Sequence, residues 1–297
     1  MFLRIAVVYG APHHLNWIGI SALLRSLEEL GHGVDRYNIM DQNGHYEFTL
    51  LDPLLDNRNH YDLVIVFDIG RIRTDKIHKR HYKCIVVGEM GDDPQNFKDN
   101  LRCADQYDIL LTPQRQMIPL YQAHGFQRVY WWTHCFDQKV HRKVDGIVEE
   151  WDVCTAMTPY GKRRKNLFAL QTSPYRFENG HGLWGEEYSR FLQSGKIVFN
   201  QSNHREITRR VFEALGSGCF LITDRIPAKT GFYKLFTPGE DLVVFWNRWD
   251  LFRKIRYYLR YPRERERIAE NGYRKAMANH SGFHRARQIL EIAKEWM

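Results

Sequence analysis

The chain has 297 residues, 43% hydrophobic and 26% charged, a composition that is typical of globular proteins and excludes fibrous and disordered classes. No apolar run approaches the ~18 residues that span a bilayer, and the start, MFLRIAVVYGAPHH, does not resemble a signal peptide. The five cysteines form no CxxC pair, which argues against a disulfide scaffold and predicts reduced thiols in a cytoplasmic protein.

The net charge of +8 is unevenly distributed along the chain. Residues 1–148 contain 17 basic and 18 acidic residues, whereas residues 149–297 contain 26 basic and 17 acidic ones. A chain of this length favours two domains. A neutral half followed by a basic half predicts that the second domain binds an anion, and a basic surface that is merely solvated is the alternative.

The first half alternates continuous apolar runs with amphipathic stretches. Such runs are typical of strands buried on both faces of a parallel sheet, so we expect a doubly wound α/β domain over residues 1–148. Asn16 is placed to cap a helix after the first strand, and the polar segment 139–151 marks the domain boundary. The predicted strands are 3–9, 61–68, 82–89, 107–113 and 127–132.

The second half repeats this pattern over residues 149–297 and ends in helices. Amphipathic periodicity predicts three consecutive C-terminal helices, the last carrying an apolar face over residues 283–293. We therefore expect a second α/β domain with a helical C-terminus. Its predicted strands are 151–157, 195–202, 219–224 and 241–246.

The turn after the first strand reads GAPHHLNW and has one glycine where the dinucleotide fingerprint GxGxxG needs three. Asp35 is then only a polar residue at a strand end, and a nicotinamide cofactor is not expected. Gly10 opens a turn with room for a ligand. His13 and His14 follow it, and they are candidates for acceptor binding or proton transfer, with simple solvent exposure as the alternative.

The segment NHREITRRVFEALGSGCFLITD (203–224) predicts a short helix that begins with two cations. Thr208 is a suitable N-cap, which puts Arg209 and Arg210 in the first turn and Glu213 one turn later. Cations are unfavourable at the positive end of a helix. Either Arg209 pairs with Glu213, or the helix start binds a diphosphate while Glu213 accepts hydrogen bonds from ribose hydroxyls.

The stretch 185–224 and the stretch LFTPGEDLVVFWNRWDLFRKIRYYL (235–259) resemble the C-terminal domain of GT-B-fold glycosyltransferases. The resemblance is greatest to the CgeB-like branch of the group 1 family, and GEMGDDPQNFKDN and HGFQRVYWWTH are similar to the N-terminal half of that branch. The resemblance implies two Rossmann-like domains facing a cleft. It also implies transfer of a sugar from a nucleotide-diphosphate donor, with a UDP-sugar favoured, without an essential metal or other cofactor.

In that family the glutamate that matches Glu213 contacts the ribose of the donor. Two glutamates eight positions apart are typical, whereas Glu206 and Glu213 are seven apart, so the role of Glu206 is open. Basic side chains near the helix starts contact the phosphates in the family, and the matching residues are Arg209, Arg210, Lys162 and Arg163.

The acceptor is expected at the first domain, where His13, His14, Asp92 and Asp93 are candidates for deprotonating its hydroxyl. Asp68, at a strand end, is a further polar candidate. The acceptor class stays open between a polysaccharide, a small molecule and modified DNA.

Two alternatives concern the second domain. The segment RWDLFRKIRYYLRYPRERER (248–267) interleaves cations with aromatic residues, which is also typical of a nucleic-acid-binding surface. His280 and His284 are four residues apart, but without a third ligand they do not predict a metal site.

Overall fold

The computed structural model describes residues 1–11, 18–41, 43–72 and 74–297. The chain forms two compact units. The first contains Met1–Thr133 and Gly282–Met297, and the second contains His134–Ser281.

The first unit is built on a six-stranded sheet whose strand order is β2-β1-β3-β4-β5-β6, with every neighbouring pair parallel. Its strands are β1 (Arg4–Tyr9), β2 (Gly33–Asn38), β3 (Leu63–Val66), β4 (Ile85–Glu89), β5 (Ile109–Thr112) and β6 (Val129–Trp131). Helices α1 (Ile18–Glu29), α2 (Asp52–Asp56), α3 (Phe97–Cys103) and α4 (Ile118–Ala123) belong to the same unit.

The apolar runs of this sheet are buried on both faces, as their continuity predicts. Alternate side chains of β1 enter different cores. Ile5 and Val7 pack in one apolar cluster, and Ala6 and Val8 pack in the other. Strand β2 was not among the predicted strands because it is an edge strand whose sequence, GVDRYN, is polar and half exposed.

The second unit has a five-stranded parallel sheet with the order β11-β10-β9-β7-β8. Its strands are β7 (Val153–Thr155), β8 (Phe177–Asn179), β9 (Val198–Asn200), β10 (Leu221–Asp224) and β11 (Val243–Phe245). Its helices are α5 (Gly161–Gln171), α6 (Gly185–Gln193), α7 (Arg209–Gly216), α8 (Phe232–Leu235), α9 (Arg248–Arg260) and α10 (Pro262–Asn279).

The last helix, α11 (Gly282–Lys294), packs with the first unit rather than with the second. Its apolar face, which includes Ala286, Ile289 and Ala293, joins the core beside β1 and α1. A Cβ on Gly282 would lie 2.7 Å from that of Ala22, so the glycine permits close contact with α1.

The division into units therefore differs from the expected domains 1–148 and 149–297 at both ends of the second domain. Residues 134–148 pack with the second unit, where Phe136 is fully buried against Gly216. The polar segment 139–151 marked a composition change, but long-range packing places the division at residues 133 and 134. Two Rossmann-like α/β units with a helical C-terminus confirm the predicted fold class. No helix in the described ranges is long and apolar enough to cross a membrane.

Candidate functional site

The second sheet has a reversal of strand order between β7 and β9. The chain passes from β7 to β8 on one side, and β9 lies on the other side. In open parallel sheets, ligands bind outside the carboxyl ends of the strands at such a switch point. Ala156, directly after β7, and Asn200, the last residue of β9, lie at this edge.

Arg210 connects these two strand ends. Its guanidinium donates to the carbonyl oxygen of Ala156 and, over 3.2 Å, to Oδ1 of Asn200. The Nε of Arg210 is buried and has no hydrogen-bond partner among the described residues. Arg210 is therefore a fixed cation at the switch point, and its buried Nε–H has no partner among the described residues.

Thr208 occupies the N-cap position of α7 in an extended conformation, but its hydroxyl does not cap the helix. It donates instead to Oδ1 of Asn200 over 3.3 Å. Asn200 in turn donates to Thr223 Oγ1 on β10 over 2.9 Å. The positive end of the α7 dipole therefore has no side-chain cap, an arrangement that favours anion binding.

Arg163, in the first turn of α5, lies near the Arg210 guanidinium. Its side chain is buried, and Nε donates to the carbonyl oxygen of Gln201 over 2.7 Å. Burial lowers the pKa of Arg163 and the neighbouring Arg210 guanidinium lowers it further, whereas Tyr160, Glu206 and Asp224 oppose the shift. Two cations in one partly buried place repel each other unless an anion compensates them. Lys162, beside Arg163, is exposed, and Arg209 is half-buried.

Glu213 lies one turn along α7 and is only 8% exposed. Its Oε2 accepts a hydrogen bond of 3.0 Å from the hydroxyl of Tyr188 on α6. Burial raises the pKa of Tyr188, and the Glu213 carboxylate raises it further.

His141 lies beside Glu213 and is fully buried. Burial lowers its pKa, and the nearby carboxylate of Glu213 opposes that shift. The backbone N–H of Asp137 donates to His141 Nδ1 over 3.2 Å, so the neutral ring carries its proton on Nε2. Glu213 is thus held in place by buried neighbours from outside α7.

Glu206 precedes α7 and organises the loop that leads to it. Its carboxylate accepts the backbone N–H groups of Asn203, over 3.1 Å, and His204, over 2.5 Å. The loop also contains Arg205 with a φ of 61°. These contacts show that Glu206 orders the loop before α7 and does not lie on the helix that carries Glu213.

The candidate residues of the first unit differ in their exposure to solvent. Asp93 is buried and accepts from Thr112 Oγ1 at 2.8 Å, Asn100 Nδ2 at 3.0 Å and the Tyr121 hydroxyl at 3.0 Å. Burial raises the pKa of Asp93 to about 6. Asp92 is exposed. His13 and His14 lie outside the described residues.

Arg71 joins Asp92 to a second carboxylate. It pairs with Asp92 Oδ2 at 2.6 Å and with Asp68 Oδ2 at 3.2 Å. Asp68 follows β3 and Asp92 follows β4, so both carboxylates lie at the carboxyl edge of the first sheet. Arg71 thus brings two carboxylates together at that edge.

Several residues of both edges were not singled out from the sequence. Asn200 and Tyr188 resembled ordinary strand and helix residues, and only the polar residue at the end of the run VFN indicated Asn200.

The candidate metal ligand His280 packs against the rings of Phe212 and Phe236, with centroid distances of 5.5 and 5.1 Å. Within the described residues, no three His, Cys, Asp or Glu side chains are grouped as metal ligands.

Residues 148–291 match the model of the glycosyl transferase-like family. No curated protein matches the chain. The match covers the whole switch-point edge, so the similarity lies in the region where the sequence resembles a glycosyltransferase domain.

Solved structures share the fold over nearly the whole chain. Anabaena HepE in complex with UDP-glucose has a TM-score of 0.68 and 11% identity, covering 99% of this chain and 100% of its own. Sucrose-phosphate synthase from Thermosynechococcus elongatus has a TM-score of 0.70 and 11% identity, covering 99% and 98%. The DNA-modifying enzyme β-glucosyltransferase has a TM-score of 0.62 and 11% identity, covering 98% and 100%. The chain thus has the GT-B fold of nucleotide-sugar-dependent glycosyltransferases.

Proposed function

We propose that the protein transfers a sugar from a UDP-sugar to a hydroxyl acceptor, and that the switch-point edge of the second sheet binds the donor. The observation that carries the proposal is the approach of Arg163 and Arg210 in one partly buried place. A diphosphate would compensate both charges. UDP is the favoured nucleotide because the similar HepE structures contain UDP-glucose and UDP.

The roles of the residues follow from their positions. Arg210, Arg163 and the uncapped start of α7 would face the diphosphate, with Arg209 and Lys162 at the same helix starts. As the bond between the sugar carbon and the diphosphate oxygen breaks, negative charge grows on the leaving group. Cations already fixed in place stabilise that charge, which is usually the largest contribution to such catalysis. Glu213 would accept the ribose hydroxyls.

The acceptor hydroxyl must lose a proton as its oxygen bonds to the sugar carbon. Asp92 is the carboxylate we propose for this step, since it is exposed and lies beside Arg71 and Asp68. His13 and His14 remain candidates of the same unit. We assign Asp93 to holding its loop, because its carboxylate accepts from three buried donors, Asn100, Thr112 and Tyr121.

We further propose that the reaction needs no metal, since the fixed arginines can supply the positive charge. We therefore expect excess chelator to leave turnover unchanged.

We place the chain in the CgeB-like branch because the stretches 84–142 and 185–287 resemble that branch. A cytoplasmic location is proposed from the sequence, whose five scattered cysteines form no CxxC pair.

Thermal unfolding with a panel of UDP, dTDP, GDP, ADP and CDP tests the donor site. A ligand at 100 times its Kd adds about 2.7 kcal/mol to the free energy of unfolding, which raises Tm by roughly 2–4 °C in a protein of this size. We expect UDP to give this rise and Glu213→Ala to lose it. If no diphosphate raises Tm, the proposal is wrong. If UDP binds but no UDP-sugar is turned over, the protein is a nucleotide-binding relative without activity.

A further inference from the structure

The solvent-facing side of α9 and the strand end beside it carry a dense set of arginine and aromatic side chains. We call this set the α9 surface. Its members are Arg225, Trp246, Trp249, Arg253, Arg256, Tyr257, Arg260 and Tyr261, all of them exposed.

The helical repeat explains why these side chains share one face. Leu251, Ile255 and Tyr258 of α9 are buried in the core of the second unit. The opposite face presents Trp249 and, three to four residues apart along the helix, the arginines 253, 256 and 260. The members of the α9 surface that lie on the helix therefore share one face, and Arg225 and Trp246 directly follow β10 and β11.

Each tryptophan of the α9 surface is paired with an arginine. The Arg225 guanidinium lies 4.0 Å from the ring centroid of Trp246, and that of Arg253 lies 5.6 Å from the ring of Trp249. The two indoles nevertheless stay 65% and 73% exposed. Large exposed aromatic side chains are normally a sign of binding when they are grouped.

The charge of the α9 surface is only partly compensated within the protein. Asp250, the one acidic residue of α9, is buried and pairs with Arg253 and Lys254, both at 2.8 Å. Among the described residues, Arg256 and Arg260 have no ion-pair partner within 4.0 Å. The Tyr257 hydroxyl donates to Glu264 over 2.7 Å, which holds its ring against the helix end.

We infer that the α9 surface binds single-stranded nucleic acid. Phosphates would contact Arg256 and Arg260, and unpaired bases would stack on the exposed faces of Trp246 and Trp249, the combination on which proteins that bind single strands rely. In a duplex the bases are already stacked on one another, so the indoles would gain little. The chemistry required of the partner is a polyanion with accessible flat rings.

Two other classes of partner fit this surface less well. Helices that lie on membranes present leucine and phenylalanine beside tryptophan. Here the aliphatic Leu251 and Ile255 are buried, and the apolar side chains of the α9 surface are all tryptophan or tyrosine. A neutral polysaccharide would stack on the indoles but leave the arginines uncompensated. The inference does not depend on the donor site, since none of its residues contacts the diphosphate in the proposal above.

Fluorescence anisotropy with a fluorescein-labelled 20-mer of dT tests the inference. We expect binding whose affinity falls with salt, with a slope of log K against log salt of about −0.7 per phosphate contact. Trp246→Ala/Trp249→Ala is expected to weaken binding about 25-fold or more, because stacking contributes at least about five-fold per base and two bases lose their partners. Arg256→Glu/Arg260→Glu is expected to weaken it about ten-fold.

Arg287→Glu/Lys294→Glu on α11 is the matched control, since it makes the same change in net charge at exposed positions. It should retain wild-type affinity, and all variants should keep the rise in Tm with UDP, which separates this test from that of the donor site. Quenching of wild-type tryptophan fluorescence by dT20 gives a second readout that needs no variant.

Four results would overturn the inference. They are no binding of dT20 at 50 mM salt, an equal loss in the α11 control, no effect of the tryptophan pair, and tighter binding of the α9 surface to phosphatidylglycerol vesicles than to dT20.

Discussion

Hydrogen bonds fix the charged side chains at the switch point of the second sheet. Arg210 is fixed by two strand ends, and Arg163 by the carbonyl of Gln201, so neither cation is free to move away from the other. Side chains fixed in this way bind an anion without a large loss of conformational entropy. The same reasoning applies to Glu213, whose carboxylate is oriented by Tyr188.

Removing the Tyr188 hydroxyl tests this orientation. Tyr188→Phe leaves the buried Glu213 carboxylate without its donor, which costs about 1–3 kcal/mol in the free energy of unfolding. We also expect UDP affinity to fall several-fold, measured by urea unfolding and by calorimetry. Tyr175→Phe is the control, because the Tyr175 ring is stacked against Phe252 at 6.3 Å. Equal stability of the two variants would refute the role of Tyr188.

Asp93 gives a prediction of pH dependence. Folding raises its pKa from 3.8 to about 6, so the folded state binds this proton more tightly than the unfolded state. The carboxyl therefore favours the folded state at low pH, and this contribution is lost as pH rises from about 4 to about 6. The pKa of Asp224 is also raised by burial, but Asp224 is present in both wild type and Asp93→Asn, so its contribution cancels when the two proteins are compared.

Relative to Asp93→Asn, wild-type stability should decline across that pH range, as measured by urea unfolding at each pH. The variant should be destabilised at pH 4, because an amide cannot accept from all three donors. A stable Asp93→Asn protein that has lost turnover would instead show that Asp93 takes part in the reaction.

At the scale of elements, the starts of α5 and α7 bring the site together. Gly161 begins α5 with a φ of +56°, and a Cβ there would lie 2.8 Å from Oδ1 of Asn203 in the loop before α7. That loop is closed by Glu206. The glycine therefore lets the two helix starts approach each other.

A pair of alanine variants isolates this contact. Gly185 begins α6 with the same φ of +56° but has nothing within 4 Å of its Cβ position. Both Gly161→Ala and Gly185→Ala carry the strain of a left-handed conformation, about 1–2 kcal/mol. Only Gly161→Ala should also displace Asn203, so we expect a larger loss of stability and a several-fold weaker affinity for UDP. Equal UDP affinity in the two variants would contradict the account.

The sequence identified most elements, and the exceptions have physical reasons. The continuous apolar runs indicated nine strands of the two sheets. Strand β2 is polar at a sheet edge, and β8 has the sequence FEN, which contains one apolar residue and therefore no apolar run. For the site, helical spacing placed Arg209, Arg210 and Glu213 on one short helix. The proximity of Arg163 and Arg210 could not be predicted from the sequence, because 46 residues separate them along the chain.

At the scale of the whole molecule, the two units do not follow the halves of the chain. Helix α11 is last in sequence, yet its apolar face completes the core of the first unit. The amphipathic period of α11 shows that one face is buried. It carries no information on which sheet covers that face, and this is why the sequence assigned it to the second domain.

Hydrogen exchange can test this assignment with two matched substitutions. Ile289 of α11 and Ile255 of α9 are both fully buried, and truncation of either to alanine should cost about 2–5 kcal/mol. We expect Ile289→Ala to increase exchange in β1 and β3, and Ile255→Ala to increase it in β10 and β11. Faster exchange in the second sheet for Ile289→Ala would show that α11 stabilises the other unit.

Calorimetric titration of UDP tests most directly whether the switch-point edge of the second unit binds a nucleoside diphosphate. We expect wild type to bind, Arg210→Gln to lose about ten-fold or more in affinity by removal of a charge-assisted contact, and Arg176→Gln to bind as wild type does. Arg176 is the control because it is exposed and pairs with Asp152 at 3.7 Å. Wild-type protein that does not bind UDP, or a folded Arg210→Gln that binds it equally well, would contradict the account.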